Sequence, residues 1–279
     1  MKPLLKLIST PIGNLNDLSE RAIESFKEGT FFLAEDTREL FKLLDLMGID
    51  KKSKFVESFN DHDQAKVKSL VDKYFDKESL NIVSDAGSPV LSDPAYPLVK
   101  EWVNRGGRVE SIPGPSAVTV ALEVSAMAPI PFSFHGFLPR KSGAIKDYIG
   151  KLRSKETHIF FESPHRIEGT LELISKEFSS YEVCVVRELT KKFEQHLRFK
   201  ATDWDLVKED LVQKGEFVIL LRNEGGDQNS PDDISNAELT KLAEKYMAKP
   251  SPKGLAKILS EITGENVNDI YKKVSFSKK

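Results

Sequence analysis

Pro113-Gly114-Pro115-Ser116-Ala117 is the stretch on which the reading of this chain turns. It follows an apolar, strand-like segment at 108–112 and opens a helix-like one at 116–124. Two earlier segments repeat the arrangement: residues 4–8 run into Ser9-Thr10-Pro11-Ile12-Gly13-Asn14, and residues 80–84 run into Asp85-Ala86-Gly87-Ser88-Pro89. Each is a strand ending in a Gly/Pro turn with small polar residues. Such turns let the backbone approach a ligand closely and aim N–H groups at it. In open α/β sheets, ligands bind just past the carboxyl ends of the strands. Three such turns in the first half predict a single small-molecule pocket, against the plainer reading of three ordinary βα loops.

Outward from these turns the pattern alternates. Residues 31–34 read as a buried strand and 37–46 as a helix that Asp36 or Thr37 can cap. Residues 61–75 form a second amphipathic helix, with Val67, Leu70, Val71 and Phe75 at helical spacing. Residues 95–105 form another, ended by Gly106-Gly107. This rhythm implies a mainly parallel sheet covered on both faces. Pro129-Ile130-Pro131 then breaks regular structure. Beyond it lie an apolar segment at 132–134, a helix at 145–152, a strand at 158–161 and a helix at 166–176. Strands follow at 182–186, 196–200 and 217–221 with fewer helices between them, so this half is expected to be a mixed sheet. Residues 223–233 read as a linker, and 236–247, 252–261 and 267–274 as short helices. The expected fold class is therefore α/β, with two α/β domains at 1–126 and 127–223, a ligand cleft between them, and a linker with a small helical tail at 224–279.

Composition bounds the function. The 279 residues carry a net charge of -2 and a single cysteine. Cys184 lies in the apolar run 183–186, which fits a reducing compartment and excludes an intrachain disulfide. Cys/His metal-site spacing is absent, and so is any apolar run of about eighteen residues. Met1-Lys2-Pro3 leads straight into a strand without signal-peptide character, so a cytoplasmic protein away from membranes is expected. The near-neutral total hides local basic stretches. Residues 136–166 hold seven Lys/Arg against three Asp/Glu, and residues 187–200 hold five against two. Local patches of this kind, rather than the total, make a phosphate footprint; a solvated charged face gives the same composition.

Several polar strand ends are candidates for chemistry. Glu35-Asp36-Thr37-Arg38 places two carboxylates and a guanidinium where a substrate or a proton can be handled; a helix N-terminus with a surface ion pair gives the same string. Glu162-Ser163-Pro164-His165-Arg166 and Arg187-Glu188-Leu189-Thr190-Lys191 occupy the same kind of position in the second half. In Gly136-Phe137-Leu138-Pro139-Arg140-Lys141, Phe137 can stack a base while Arg140 and Lys141 meet phosphates, although sequence alone favours Phe137 as core. His62, flanked by Asp61 and Asp63, sits at a helix start, where a capping role is the plainer reading. No Gly-x-Gly-x-x-Gly fingerprint is present, which disfavours a dinucleotide-dependent oxidoreductase.

The ordered strings at 9–15 (STPIGNL), 35–38 (EDTR), 84–89 (SDAGSP), 92–94 (SDP), 113–117 (PGPSA), 136–141 (GFLPRK), 162–166 (ESPHR), 187–191 (RELTK) and 214–218 (KGEFV) together resemble a known family. It is the tetrapyrrole-methylase-like superfamily of S-adenosylmethionine methyltransferases and, within it, the ribosomal RNA small subunit methyltransferase I family. The resemblance covers about residues 4–222. It implies S-adenosyl-L-methionine folded into the cleft, 2′-O-methylation of a cytidine in the decoding centre of 16S rRNA within the 30S subunit, and a homodimer. Carried over position by position, it implies cofactor contacts from Pro11, Ile12, Gly13, Asp85, Gly87, Ser88, Ser116, Ala117, Phe161, Leu189, Gly215 and Phe217. Asp36 or Glu35 is the expected acidic catalytic partner, with Glu162 as second candidate. Arg38 and Lys191 are expected to orient ribose and phosphate, and Arg140, Lys141 and Arg166 to hold RNA backbone. The chain departs from the pattern at Ala95, where glycine is usual, at 123–127, which lacks the usual Ser-Gly, and at His62-Asp63-Gln64. The rival readings are a methyltransferase for a small acceptor such as a tetrapyrrole, and a non-catalytic RNA-binding protein.

Overall fold

Strand β1 (Leu4–Ile8) is flanked on both sides by parallel partners, β4 (Ser79–Val83) and β5 (Arg108–Ile112). With β2 (Phe31–Ala34) and β3 (Phe55–Ser58) they form an all-parallel sheet in the order β3-β2-β4-β1-β5. The structure, a computed structural model, describes residues 2–59, 64–91, 95–225, 252–263 and 266–276. His62, the Ser92-Asp93-Pro94 string and the expected helix at 236–247 lie outside them.

The strands are apolar on both faces because both are covered, as a parallel sheet with crossover helices requires. Leu5, Leu33, Leu80 and Ile82 pack on one side against Val67, Leu70 and Val71 of α3 (Gln64–Tyr74) and Leu98 and Trp102 of α4 (Tyr96–Asn104). Ile8, Phe32, Ala34 and Val83 pack on the other against Ala22 and Phe26 of α1 (Glu20–Glu28) and Leu40 and Leu44 of α2 (Thr37–Leu46). Neighbouring strand residues go to opposite sides, the period-2 rule of a pleated sheet. Local signals set the helix ends. The Ser19 hydroxyl accepts from the Ala22 N–H at 3.2 Å, and Asp36, rather than Thr37, caps α2 by accepting from the Arg38 N–H at 2.8 Å.

The second sheet runs β6-β7-β10-β8-β9, comprising β6 (Phe132–Phe137), β7 (Thr157–Glu162), β8 (Glu182–Arg187), β9 (Gln195–Lys200) and β10 (Phe217–Arg222). β6 and β7 are parallel, and the remaining pairs antiparallel. The expected mixed sheet is therefore present. One face is covered by Ile145 and Ile149 of α6 (Ser142–Ile149), Ile167, Leu171 and Ile174 of α7 (Ile167–Glu177), and the turn carrying Trp204. The other face, made by Ile159, Cys184, Val186, Val218 and Leu220, is covered by Val118 and Ala121 of α5 (Ala117–Val124). Helix α5 thus follows the last strand of the first sheet and packs on the second. Each large aliphatic side chain buried there stabilises by roughly 1.5–3 kcal/mol. Two further helices, Pro252–Thr263 and Val267–Phe276, pack on each other.

Candidate functional site

In the first sheet, β1 connects toward β2 on one side and β4 connects toward β5 on the other. The two connections cross over each other's strands on opposite faces, α1 on one and α4 on the other, so the loops after β1 and β4 part at their carboxyl ends, the expected ligand position in such sheets. The two loops are tied by an isolated bridge: the Thr10 N–H donates to the Gly87 carbonyl at 2.9 Å, and the Gly87 N–H donates to the Thr10 carbonyl at 3.1 Å. Gly87 has φ +81, a left-handed conformation that favours glycine. A Cβ there would sit 3.4 Å from the Ile12 side chain.

A cleft of about 470 Å³ opens at this point, walled by Ile12, Asp85, Ala86, Gly87, Ser88, Ser116 and Ala117 from the first half. All three strand-end turns thus contribute to one pocket. The second half closes it with Phe161, Leu189, Gly215 and Phe217, so ten of the twelve expected cofactor residues line it. Pro11 and Gly13 do not. Gly13 is where the two halves touch: a Cβ on it would overlap Lys191 and lie 2.8 Å from the Leu189 carbonyl oxygen. Glu35, the expected alternative to Asp36, is in the wall, whereas sequence reasoning missed Leu91, Val118, Val186, Glu216 and Val218. The apolar ones carry no signal that separates a pocket wall from core.

The charge of the wall is selective. Glu35, Asp85 and Glu216 bring carboxylates to it, Glu162 lines it with its carboxyl group buried away in a pair with Arg166, and among the described residues no Lys, Arg or His lines it. Asp85 accepts from the Asp36 N–H at 3.0 Å, and burial raises its pKa above the ordinary carboxylate value. A volume in the range of drug-sized ligand pockets, apolar surfaces and carboxylates suit a cationic ligand and repel phosphates. S-adenosylmethionine, with its sulfonium and ammonium groups and an adenosine that needs apolar faces, matches this donor set.

The far wall is held under strain. Glu188 and Thr190, on either side of Leu189, have φ +51 and +62. Residues other than glycine rarely adopt such angles, and they persist where the surroundings over-determine them. Here the Glu188 carboxylate accepts from the Glu216 N–H at 3.0 Å and from Lys191 Nζ at 2.9 Å, and Glu194 accepts from the Thr190 N–H at 2.6 Å. Lys191 also pairs with Glu216 at 3.0 Å. Its ammonium is spoken for as a brace of this loop and does not line the cleft.

Three other expected roles change. Glu162 is fully buried at its carboxyl group, which accepts from Arg166 at 2.9 Å, the Thr170 hydroxyl at 2.9 Å and the Ser163 N–H at 2.7 Å. Arg166 also donates to the carbonyls of Leu138 and Pro139. The pair staples the β6–α6 loop to β7, so Glu162 is not poised as a proton acceptor and Arg166 is not a free phosphate contact. Asp36 caps α2 and holds Arg38 in a two-pronged pair whose shortest contact is 2.6 Å, and hydrogen bonds from Arg38 lower its pKa to about 2. It lies beside the cleft rather than in its wall. Arg140 and Lys141 are exposed and make no ion pair with a described residue. Phe137, which sequence alone favours as core, is 60% exposed and lines the cleft.

Comparison with known proteins follows the same lines. Residues 5–205 match the model of the Tetrapyrrole (Corrin/Porphyrin) Methylases. Ribosomal RNA small subunit methyltransferase I of Vibrio cholerae serotype O1 is 37% identical over 97% of this chain and 93% of its own length. The Mycoplasma genitalium protein of the same name is 37% identical over 79% of this chain and 80% of its own. Among solved structures, a conserved hypothetical protein of Aeropyrum pernix K1 aligns with a TM-score of 0.59 over 97% of this chain and 99% of its own, at 13% identity. Diphthine synthase aligns at 0.58 over 78% and 90%, at 14% identity. At such identities these two likenesses speak for the fold alone.

Proposed function

The chain belongs to the ribosomal RNA small subunit methyltransferase I family within the tetrapyrrole methylases, and from that premise we propose that it methylates the ribose 2′-oxygen of a cytidine in the decoding centre of 16S rRNA. The observation that supports this best is the cleft itself, built from three strand-end turns and carrying carboxylates but no cation among its described lining residues, with exposed basic residues outside it. The protein is an S-adenosylmethionine-dependent methyltransferase. Bound in the cleft, the cofactor supplies an electrophilic methyl group on a sulfonium that leaves as a neutral thioether.

The chain's own residues have three tasks. The turns at Ile12, Gly87 and Ala117 shape the floor, and Leu189, Phe161 and Phe217 exclude water from the opposite side. Asp85 offers a solvent-exposed carboxylate in the cleft wall to a ligand hydroxyl or ammonium. A ribose hydroxyl is a poor nucleophile near neutral pH, so in-line positioning dominates, assisted by a group that takes the proton. Glu35, in the wall at the end of β2, is our candidate for that group. Asp36, held ionised by Arg38, is a weak base and acts by orienting Arg38 toward a phosphate. Arg140 and Lys141 take the RNA backbone outside the cleft. The substrate is the 30S subunit, met in the cytoplasm, and the working form is a homodimer.

The test is methyl transfer from labelled S-adenosylmethionine to 30S subunits lacking native methylation, followed by nuclease digestion and nucleoside mass analysis. Enzyme-dependent 2′-O-methylcytidine is the expected product. Label on a base, or none on RNA alongside turnover of a small acceptor, would overturn the proposal. Glu35→Gln is expected to lower kcat more than KM.

A further inference from the structure

The cleft carries an aromatic wall that its cofactor does not account for. Phe137 ends β6, lines the cleft and leaves more than half of its surface open. Its place is set by a bulge. Phe134 pairs with Ile159 and Phe137 with Phe161, so three steps along β6 match two along β7. Gly136, at φ +69, lies within the shift. Successive residues of a regular strand alternate faces, so without the extra residue position 136 would share the face of Phe134. The bulge puts Phe137 there instead, and such bulges re-aim side chains beside functional sites. The Phe137 ring meets Phe161 edge-on at 5.7 Å between centroids, and Phe161 meets Phe134 at 4.9 Å. The inner rings are thus packed while the outermost keeps a face open to the cleft mouth. Three and four residues further on stand Arg140 and Lys141, exposed and unpaired with any described residue.

An open aromatic face beside a cleft with no cation among its described lining residues, with two cations just outside, is the arrangement that takes a nucleotide base-first. The base goes to the ring, and the phosphates stay with the cations and away from the carboxylate wall. We propose that Phe137 forms a nucleobase-binding subsite that stacks the base of the nucleotide being modified, unstacked from its RNA neighbours, and so delivers its ribose to the cleft. This rests on the RNA-methyltransferase reading above. Phe137 is a positioning residue for the acceptor and plays no part in holding the cofactor.

Four variants test it, assayed with unmethylated 30S subunits and, separately, for binding of S-adenosylhomocysteine by calorimetry. Phe137→Ala removes the π face and is expected to lower kcat/KM for 30S subunits by roughly 5- to 150-fold, the range of one base–aromatic stack. Phe137→Leu keeps apolar bulk without the face and should fall with it. Phe137→Tyr and Phe137→Trp should recover to within about threefold, since stacking tolerates any aromatic ring. Tm and S-adenosylhomocysteine affinity should stay at the wild-type level throughout. Phe137→Leu as active as the parent would overturn the stacking role, and weakened S-adenosylhomocysteine binding by Phe137→Ala would assign the ring to the cofactor instead. If the parent protein methylates no 30S subunit, the RNA reading fails. If it does and all four variants match it, only the subsite fails.

Discussion

Gly13→Ala is the sharpest test of how the two halves meet. Gly13 follows β1 and abuts the loop after β8, where an added Cβ would overlap the Lys191 side chain and come within 2.8 Å of the Leu189 carbonyl and 2.9 Å of Thr190 Oγ1. Lys191 is flexible, but the carbonyl belongs to a backbone pinned between two left-handed residues and braced by Glu188 and Glu194. Relief must therefore come from parting the loops. Overpacking of this kind destabilises by about 1–3 kcal/mol. At roughly 2–4 °C per kcal/mol for a large domain, Tm should drop by about 2–12 °C. Ile12 and Leu189 line opposite sides of the cleft, so the same parting should weaken cofactor binding by about tenfold, or roughly 1.4 kcal/mol. The assays are calorimetric melting and titration with S-adenosylhomocysteine. Gly169→Ala in α7 is the control, since nothing lies within 4 Å of its added Cβ; helix propensity predicts a gain of up to about 1 kcal/mol there. Gly13→Ala melting and binding like the parent would refute the contact.

Further outcomes follow from individual groups. Glu162→Gln should destabilise toward the low end of the roughly 3–5 kcal/mol typical of a broken buried pair, because Arg166 retains partial exposure, while kcat of the folded variant changes little; melting and single-turnover rates separate the two. Asp36, held at about pKa 2 against an ordinary 3.8, stabilises the fold above about pH 3.8, and its contribution fades as pH falls toward 2; carboxyl NMR should show it ionised throughout the neutral range. His135 and His158 touch at 3.0 Å, with Tyr148 on one side and the Arg153 carbonyl on the other. Burial lowers both pKa values below 6.5, aided at His135 by its partner and opposed there by Glu156; at His158 the hydrogen bond to the Arg153 carbonyl and the charge of Glu156 oppose it, and the charges of Arg222 and Arg153 add to it. The unfolded chain then binds more protons just below pH 6.5, so Tm should decline as pH falls through that region, and His158→Gln should flatten the decline. Arg140→Ala and Lys141→Ala should each reduce the salt dependence of 30S binding by about one phosphate contact.

The strand-end turns were legible because their chemistry is local: Gly, Pro and small polar residues after an apolar run specify a turn wherever it occurs. The covered sheet was legible from continuous apolar strands, and the cap from Asp36 beside a helical pattern. Roles that depend on distant partners were not. Glu162 and Arg166 read as a functional strand end, yet their meaning comes from Thr170 and from the carbonyls of Leu138 and Pro139. Gly13 read as a ligand turn because nothing nearby in sequence announces Leu189 across from it. Phe137 read as core because an aromatic in an apolar run normally is, and only the one-residue shift at Gly136 turns it to the mouth of the cleft.

Helix α5 has a consequence for how the chain is made. Its apolar face is satisfied by β10, a central strand of the second sheet. β10 begins at residue 217, while α5 ends at 124, so 92 residues must be added between them. At about 5–20 residues per second, synthesis of that interval takes roughly 5–18 s. Through that time the first half carries an uncovered apolar helix, and the second sheet lacks the strand that joins β7 to β8. A ribosome stalled anywhere between those points presents a half-protein that is sticky along α5, and a gene cut at the 126/127 junction should yield two fragments that become soluble only when expressed together.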